Sequence, residues 1–142
     1  MAIEFIHIQF KNQTKEVLSR FFDWVLSLDK VRINFDHEAW SPQNKKDNKL
    51  KKLIKIKTPK KAKELFLKNH HISMIFETDN EYPAHFSVNY KFNMGDRPDQ
   101  AVISFNSARY AYEHKINGVP FNDYIKNKWL SDLNEKFDIL KI

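Results

Sequence analysis

Phe86, Val88, Tyr90 and Phe92 take every second position, and His85, Ser87, Asn89 and Lys91 fill the places between them. Successive strand side chains point to opposite faces, so this alternation describes a half-buried antiparallel strand, apolar inward and polar outward. A strand of this kind needs neighbours, and the flanking sequence supplies them. Ile72 to Thr78 reads as a strand, followed by the turn chemistry of Asp79-Asn80-Glu81-Tyr82-Pro83. Met94 to Asp99 reads as a second loop and Ala101 to Phe105 as a further strand. Short connections between consecutive strands make this block a three-stranded antiparallel meander.

Upstream, residues 3–10 (Ile-Glu-Phe-Ile-His-Ile-Gln-Phe) read as a strand with apolar side chains on both faces, as expected near a sheet centre. Val17, Leu18, Phe21, Phe22, Val25 and Leu28 then recur at spacings of one, three and four, with Trp24 bordering the stripe. That spacing predicts a one-faced helix, capped at its start by Asn12 or Thr14. Val31 to Phe35 predicts a short strand and residues 41–48 a polar loop. Around Leu50 to Lys57 the pattern fits either a helical stripe or an edge strand. Beyond Pro59, Ala62, Leu65 and Phe66 share one side of a further helical turn or two.

Residues 107–116 suit either a short helix ended by Asn117-Gly118 or one arm of a hairpin turning there, with the balance toward helix. Phe121, Ile125, Trp129 and Leu133 predict a last helix over 121–136. The expected architecture is therefore α+β. It is a single domain over residues 1–142, a two-layer sandwich of about five mostly antiparallel strands with two main helices on one face.

Composition narrows the chemistry. The 142 residues contain no cysteine, which removes disulfides, thiol catalysis and cysteine-based metal sites. Only Gly95 and Gly118 occur, too few and too far apart for a dinucleotide fingerprint, a P-loop or a nucleophile elbow. Glu4, His7 and Gln9 interrupt the opening apolar stretch, so no signal peptide is expected, and no run is long enough for a membrane span. The expected location is cytoplasmic, and the bias toward Lys, Asn, Ile and Phe suggests an AT-rich bacterial or phage genome.

Charge is unevenly placed. Residues 45–68 carry eleven lysines against Asp47 and Glu64, a local charge of +9 in a chain whose formal total is +6. The rest of the molecule is therefore mildly acidic, and its field is dipolar. The basic segment reads first as a solvated face. Its functional alternatives are contact with an acidic protein, a membrane surface or nucleic acid through Lys49, Lys51, Lys52, Lys55, Lys57, Lys60 and Lys61. None of the four arginines lies in the segment, and Phe66 is its one aromatic residue, which weakens the nucleic-acid alternative.

Asp36-His37-Glu38 and His70-His71 are the local clusters with metal-ligating or acid–base groups, and neither has a ligand spacing. No catalytic residue, metal site or cofactor is assigned. Trp40, Tyr82, Arg109, Tyr110 and Tyr112 are the candidate partner-binding residues, because such side chains bury a ring or stem and keep a polar tip. The function expected from these residues is non-enzymatic protein binding, in its concrete form a bacterial immunity protein that neutralises a cognate toxin. That form rests on analogy of size and style, not on a motif. The alternatives are a nucleic-acid-binding accessory protein using residues 45–68 and a small hydrolase built on histidine and carboxylate.

Overall fold

The computed structural model describes residues 3–40, 53–79, 83–91, 100–106 and 115–142. Strand β1 (Ile3–Phe10) leads into helix α1 (Lys15–Ser27), followed by β2 (Val31–Ile33), β3 (Ala39–Trp40) and β4 (Leu53–Ile54). Helix α2 (Pro59–Leu67) precedes β5 (Ile72–Phe76), β6 (Ala84–Lys91) and β7 (Gln100–Asn106). The short strands β8 (Lys115–Ile116) and β9 (Val119–Pro120) lead into α3, which winds through Phe121–Tyr124, a π-helical segment Ile125–Trp129, and Leu130–Lys136. Strand β10 (Ile139–Lys141) comes last.

Six strands form one sheet in the order β10-β1-β7-β6-β5-β2, with every neighbouring pair antiparallel. The meander of β5, β6 and β7 sits at its middle, as the alternation of residues 85–92 implies. The α+β, mostly antiparallel architecture is the expected one, with β10 as a sixth strand. β1 and β2 lie four strand spacings apart, about 19 Å. The 13 residues of α1 rise about 20 Å, which is the span needed to carry the chain across.

One face of the sheet is covered by helices. Ile6, Ile8, Phe10, Ile103, Phe105, Phe86, Val88, Ile72, Met74 and Phe76 are buried on it. Phe21 of α1 packs on Phe10 and on Phe66 of α2, while Trp129 of α3 packs on Phe76 and Phe86. Burying a large side chain of this kind contributes roughly 1.5–3 kcal/mol each, so this layer holds most of the stability.

Local chemistry sets the helix ends. Thr14 Oγ1 accepts from Val17 N at 3.2 Å and Thr58 Oγ1 accepts from Lys61 N at 3.1 Å. Pro59, at the first position of α2, lacks an N–H that would go unpaired there. Strand β2 stops sooner than its apolar alternation suggests, because Asn34 Oδ1 accepts from Asp36 N at 3.2 Å and turns the chain.

Three local expectations resolve. Residues 53–54 form a strand paired with β3 rather than a helix, in a two-stranded unit separate from the main sheet. The preference for helix before Gly118 is corrected for residues 115–120. β8 and β9 form a hairpin, and Asn117 (φ 50°) with Gly118 (φ 83°) supplies the two positive φ angles its turn needs. The backbone N–H groups of Gly118 and Asn117 donate to the Asp79 carboxylate and hold its pKa below the usual 3.8, with a smaller contribution from Lys30. The loops expected over 41–48 and 94–99, residues 80–82 and residues 107–114 lie outside the described residues.

The π-helical segment has a reason in the sequence. Phe121, Ile125, Trp129 and Leu133 recur at strict fours, and an α-helix turns about 40° too far at each such step. A π turn closes i to i+5 and winds less per residue. All four side chains are consequently buried.

Candidate protein-binding site

A groove of about 540 Å³ opens where the C-terminal end of α1 meets α3. That is within the size range of ordinary ligand pockets. The end of α1 is fixed by its own chemistry: Ser27 Oγ donates to Trp24 O at 2.7 Å, and Leu28 N donates to Val25 O at 3.2 Å. Trp24 is buried, and its indole N–H reaches across to Asp132 Oδ2 of α3 at 2.6 Å. This charge-assisted bond sets the distance between the two helices.

The walls carry both signs of charge. Asp132 also pairs with Lys136 Nζ at 3.5 Å, and Lys128 Nζ lies 5.1 Å from the Tyr124 ring centroid. Asp29 and Glu135 are exposed lining carboxylates with no ion pair among the described residues. The groove thus offers two carboxylates without an ion pair among the described residues, beside a half-buried Tyr124 ring that Lys128 already approaches. A cationic side chain entering it meets opposite charge at Asp29 and Glu135.

The basic segment behaves differently. Ile56 is buried in the core, and Lys55 and Lys57 on either side of it are exposed, as is Lys60. Lys61 lies 4.0 Å from Glu64, and Lys63 Nζ contacts both carboxylate oxygens of Asp23 at 2.9 Å. Some of the lysine charge is therefore answered within the chain. Lys49, Lys51 and Lys52 lie outside the described residues.

Of the aromatic and arginine candidates, Tyr82, Arg109, Tyr110 and Tyr112 lie outside the described residues. Trp40 is placed by its backbone in β3, opposite Leu53, which is exposed. The groove residues were not singled out by sequence reasoning. Lys128, Asp132 and Glu135 look like ordinary solvent-facing positions of a helix, and Asp29 like part of the turn after α1. Their convergence depends on how α1 and α3 meet, and the sequence contains no local sign of it.

His7 of β1 and His85 of β6 lie on the sheet face away from the helices, and His114 lies outside the described residues. His7 Nδ1 lies 2.9 Å from Gln100 Nε2. Asp36-His37-Glu38 forms the polar connection after β2, and His37 stacks near His85 of β6 with ring centroids 6.5 Å apart. His70 is buried at the end of α2 and His71 stands at the start of β5. Among the described residues no group of three histidine, aspartate or glutamate side chains is arranged to hold a metal ion. No helix among them is long and apolar enough to cross a membrane. No protein-family model matches the chain, and neither the curated proteins nor the solved structures contain a match to it.

Proposed function

We propose that the chain is a protein-binding module whose α1–α3 groove receives a basic side chain of a partner protein. The observation that carries this is the presence in one groove of Asp29 and Glu135, two exposed carboxylates without an ion pair among the described residues. The groove belongs to the acidic remainder of the molecule, outside the lysine-rich segment, and opposite charge on a partner speeds encounter. In its most concrete form the partner is a toxin with a basic surface, and the chain neutralises it by occlusion.

A photo-crosslinking residue at Ser131, exposed at the groove, compared with one at Lys57, tests this in the native cell. The expected result is a protein adduct at position 131 that disappears when Asp29→Lys and Glu135→Lys are combined. Adducts that form only from position 57, and survive those changes, would overturn it.

The second reading, nucleic-acid binding, rests on exposed Lys55, Lys57 and Lys60. It requires affinity for single- or double-stranded nucleic acid that falls steeply between about 50 and 200 mM salt. Replacing Lys55 and Lys57 with Glu would then abolish binding while leaving folding within about 0.5 kcal/mol.

A further inference from the structure

We infer that Asn117 is a latent site of self-modification, at which the chain converts its own side-chain amide to aspartate or isoaspartate, and that the Asp79 carboxylate holds this reaction back. Gly118 follows Asn117, and no other asparagine of the chain precedes a glycine. Without a Cβ, glycine leaves its amide nitrogen open to the side chain before it. Both residues are exposed, so water reaches them, and a Cβ placed on Gly118 would meet nothing within 4 Å. The Gly118 nitrogen loses its proton to solvent base and attacks Asn117 Cγ. The new N–C bond closes a succinimide ring, and the side-chain nitrogen leaves as ammonia. Water then opens the ring. Attack at Cγ gives aspartate, and attack at the main-chain carbonyl gives isoaspartate, in which the backbone runs through Cβ and Cγ. The sum is amide plus water giving acid plus ammonia, with no change of oxidation state.

Asp79 stands where the reaction has to start. Its Oδ2 accepts the Gly118 N–H at 3.0 Å, and that hydrogen is the one the attack must remove. Its own N–H donates to Lys115 O at 2.7 Å, so the hairpin is tied to the end of the central strands in both directions. A negative charge against the nitrogen opposes the amide anion that has to form there. The charge-assisted bond also keeps that nitrogen in the turn. Asp79 is poorly suited to the opposite role of base. The N–H groups of Gly118 and Asn117 hold its pKa below 3.8, which makes it a weak proton acceptor. The product, by contrast, undoes the turn. It adds a negative charge to a hairpin already held by one. Isoaspartate also lengthens the backbone by one carbon, and a two-residue turn fixes its register by its length. Val119 and Pro120 run directly into Phe121, which is fully buried, so the disturbance reaches the start of α3.

The test is ageing of the intact chain in mildly alkaline buffer, followed by peptide mapping that separates asparagine, aspartate and isoaspartate at position 117. Asn69 is the internal reference, since it also has a positive φ (69°) but precedes His70. In the folded protein, Asp79→Asn should speed modification at Asn117 about tenfold or more and leave Asn69 unchanged. In denaturant the two chains should react at the same rate, because the carboxylate acts through the folded hairpin. Asp79→Asn keeps an acceptor oxygen and removes the charge. If amide exchange over residues 115–120 shows that the hairpin has opened, Asp79→Glu restores both and should bring the rate back toward that of the original chain. Equal folded rates with and without the carboxylate, slower modification in Asp79→Asn, no rescue by Asp79→Glu, or no modification even in denaturant would each overturn the inference.

Discussion

The two faces of the six-stranded sheet are made by alternate residues of the same strands, yet they have become different materials. Toward the helices, Ile6, Ile103, Val88 and Ile72 stand opposite one another in a continuous row across four strands. One register position along, on the other face, His7, Val102 and Asn89 follow one another across three strands. Ser73, Ser87 and Ser104 form a second such row. The first face holds carbon against carbon and stores stability. The second carries hydroxyl, imidazole and guanidinium groups, although its centre is not simply wet. Val102 is 1% exposed and Asn89 is 2% exposed. The clean inward–outward division expected of β6 therefore applies to His85, which is exposed, and not to Asn89. Alternation assigns a side chain to a face, but it does not say whether that face is covered.

Substitutions across this divide should separate cleanly. The largest effect is expected on the helical side. Phe76→Ala removes a fully buried ring that packs against Phe121, Tyr124 and Trp129, and should reduce unfolding free energy by about 3–5 kcal/mol. Denaturant titration measures it, and a loss below about 1 kcal/mol would erase the distinction between the faces. Val102→Ala sharpens it. A buried valine at the centre of the second face should cost about 1.5–2.5 kcal/mol. A change near zero would mean that this centre contributes nothing to folding.

Trp24→Phe keeps an aromatic ring in the helical layer but removes part of the buried indole and the hydrogen bond to Asp132. The expected loss is about 1–3 kcal/mol, together with weaker cross-linking from position 131, since Trp24 and Asp132 hold the groove walls in register. Unchanged stability and unchanged cross-linking would detach that bond from the site.

The smallest effect is a pH dependence. His85 binds its proton less readily in the folded chain than in the unfolded one, so the unfolded state takes up more protons as pH falls. The contribution is complete above pH 6.5 and is lost as pH drops through the lower, folded value. Thermal unfolding between pH 8 and pH 5 should show this slope, and His85→Gln should flatten it.

The fold was legible where side-chain period and local chemistry agree. The stripe from Val17 to Leu28 gave α1, Thr14 gave its cap, and the alternation of residues 85–92 gave the middle of the sheet. β10 escaped because three residues, Ile139–Lys141, are too few to show a period. The hairpin at Asn117-Gly118 was one of two readings, since the same dipeptide ends helices and turns hairpins, and only the antiparallel pairing of β8 with β9 decides. The candidate site was least legible. Trp24 and Asp132 are 108 residues apart in sequence, so their meeting is created by the packing of whole elements.

The under-wound stretch of α3 makes that segment intolerant of changes in length. Each residue added or removed between Phe121 and Leu133 would swing everything downstream by about 100° around the helix axis. Trp129 would leave Phe76 and Phe86, and Asp132 would no longer face Trp24. Residue types along this stretch can drift, but their number is fixed by the need to keep core and groove on their respective sides.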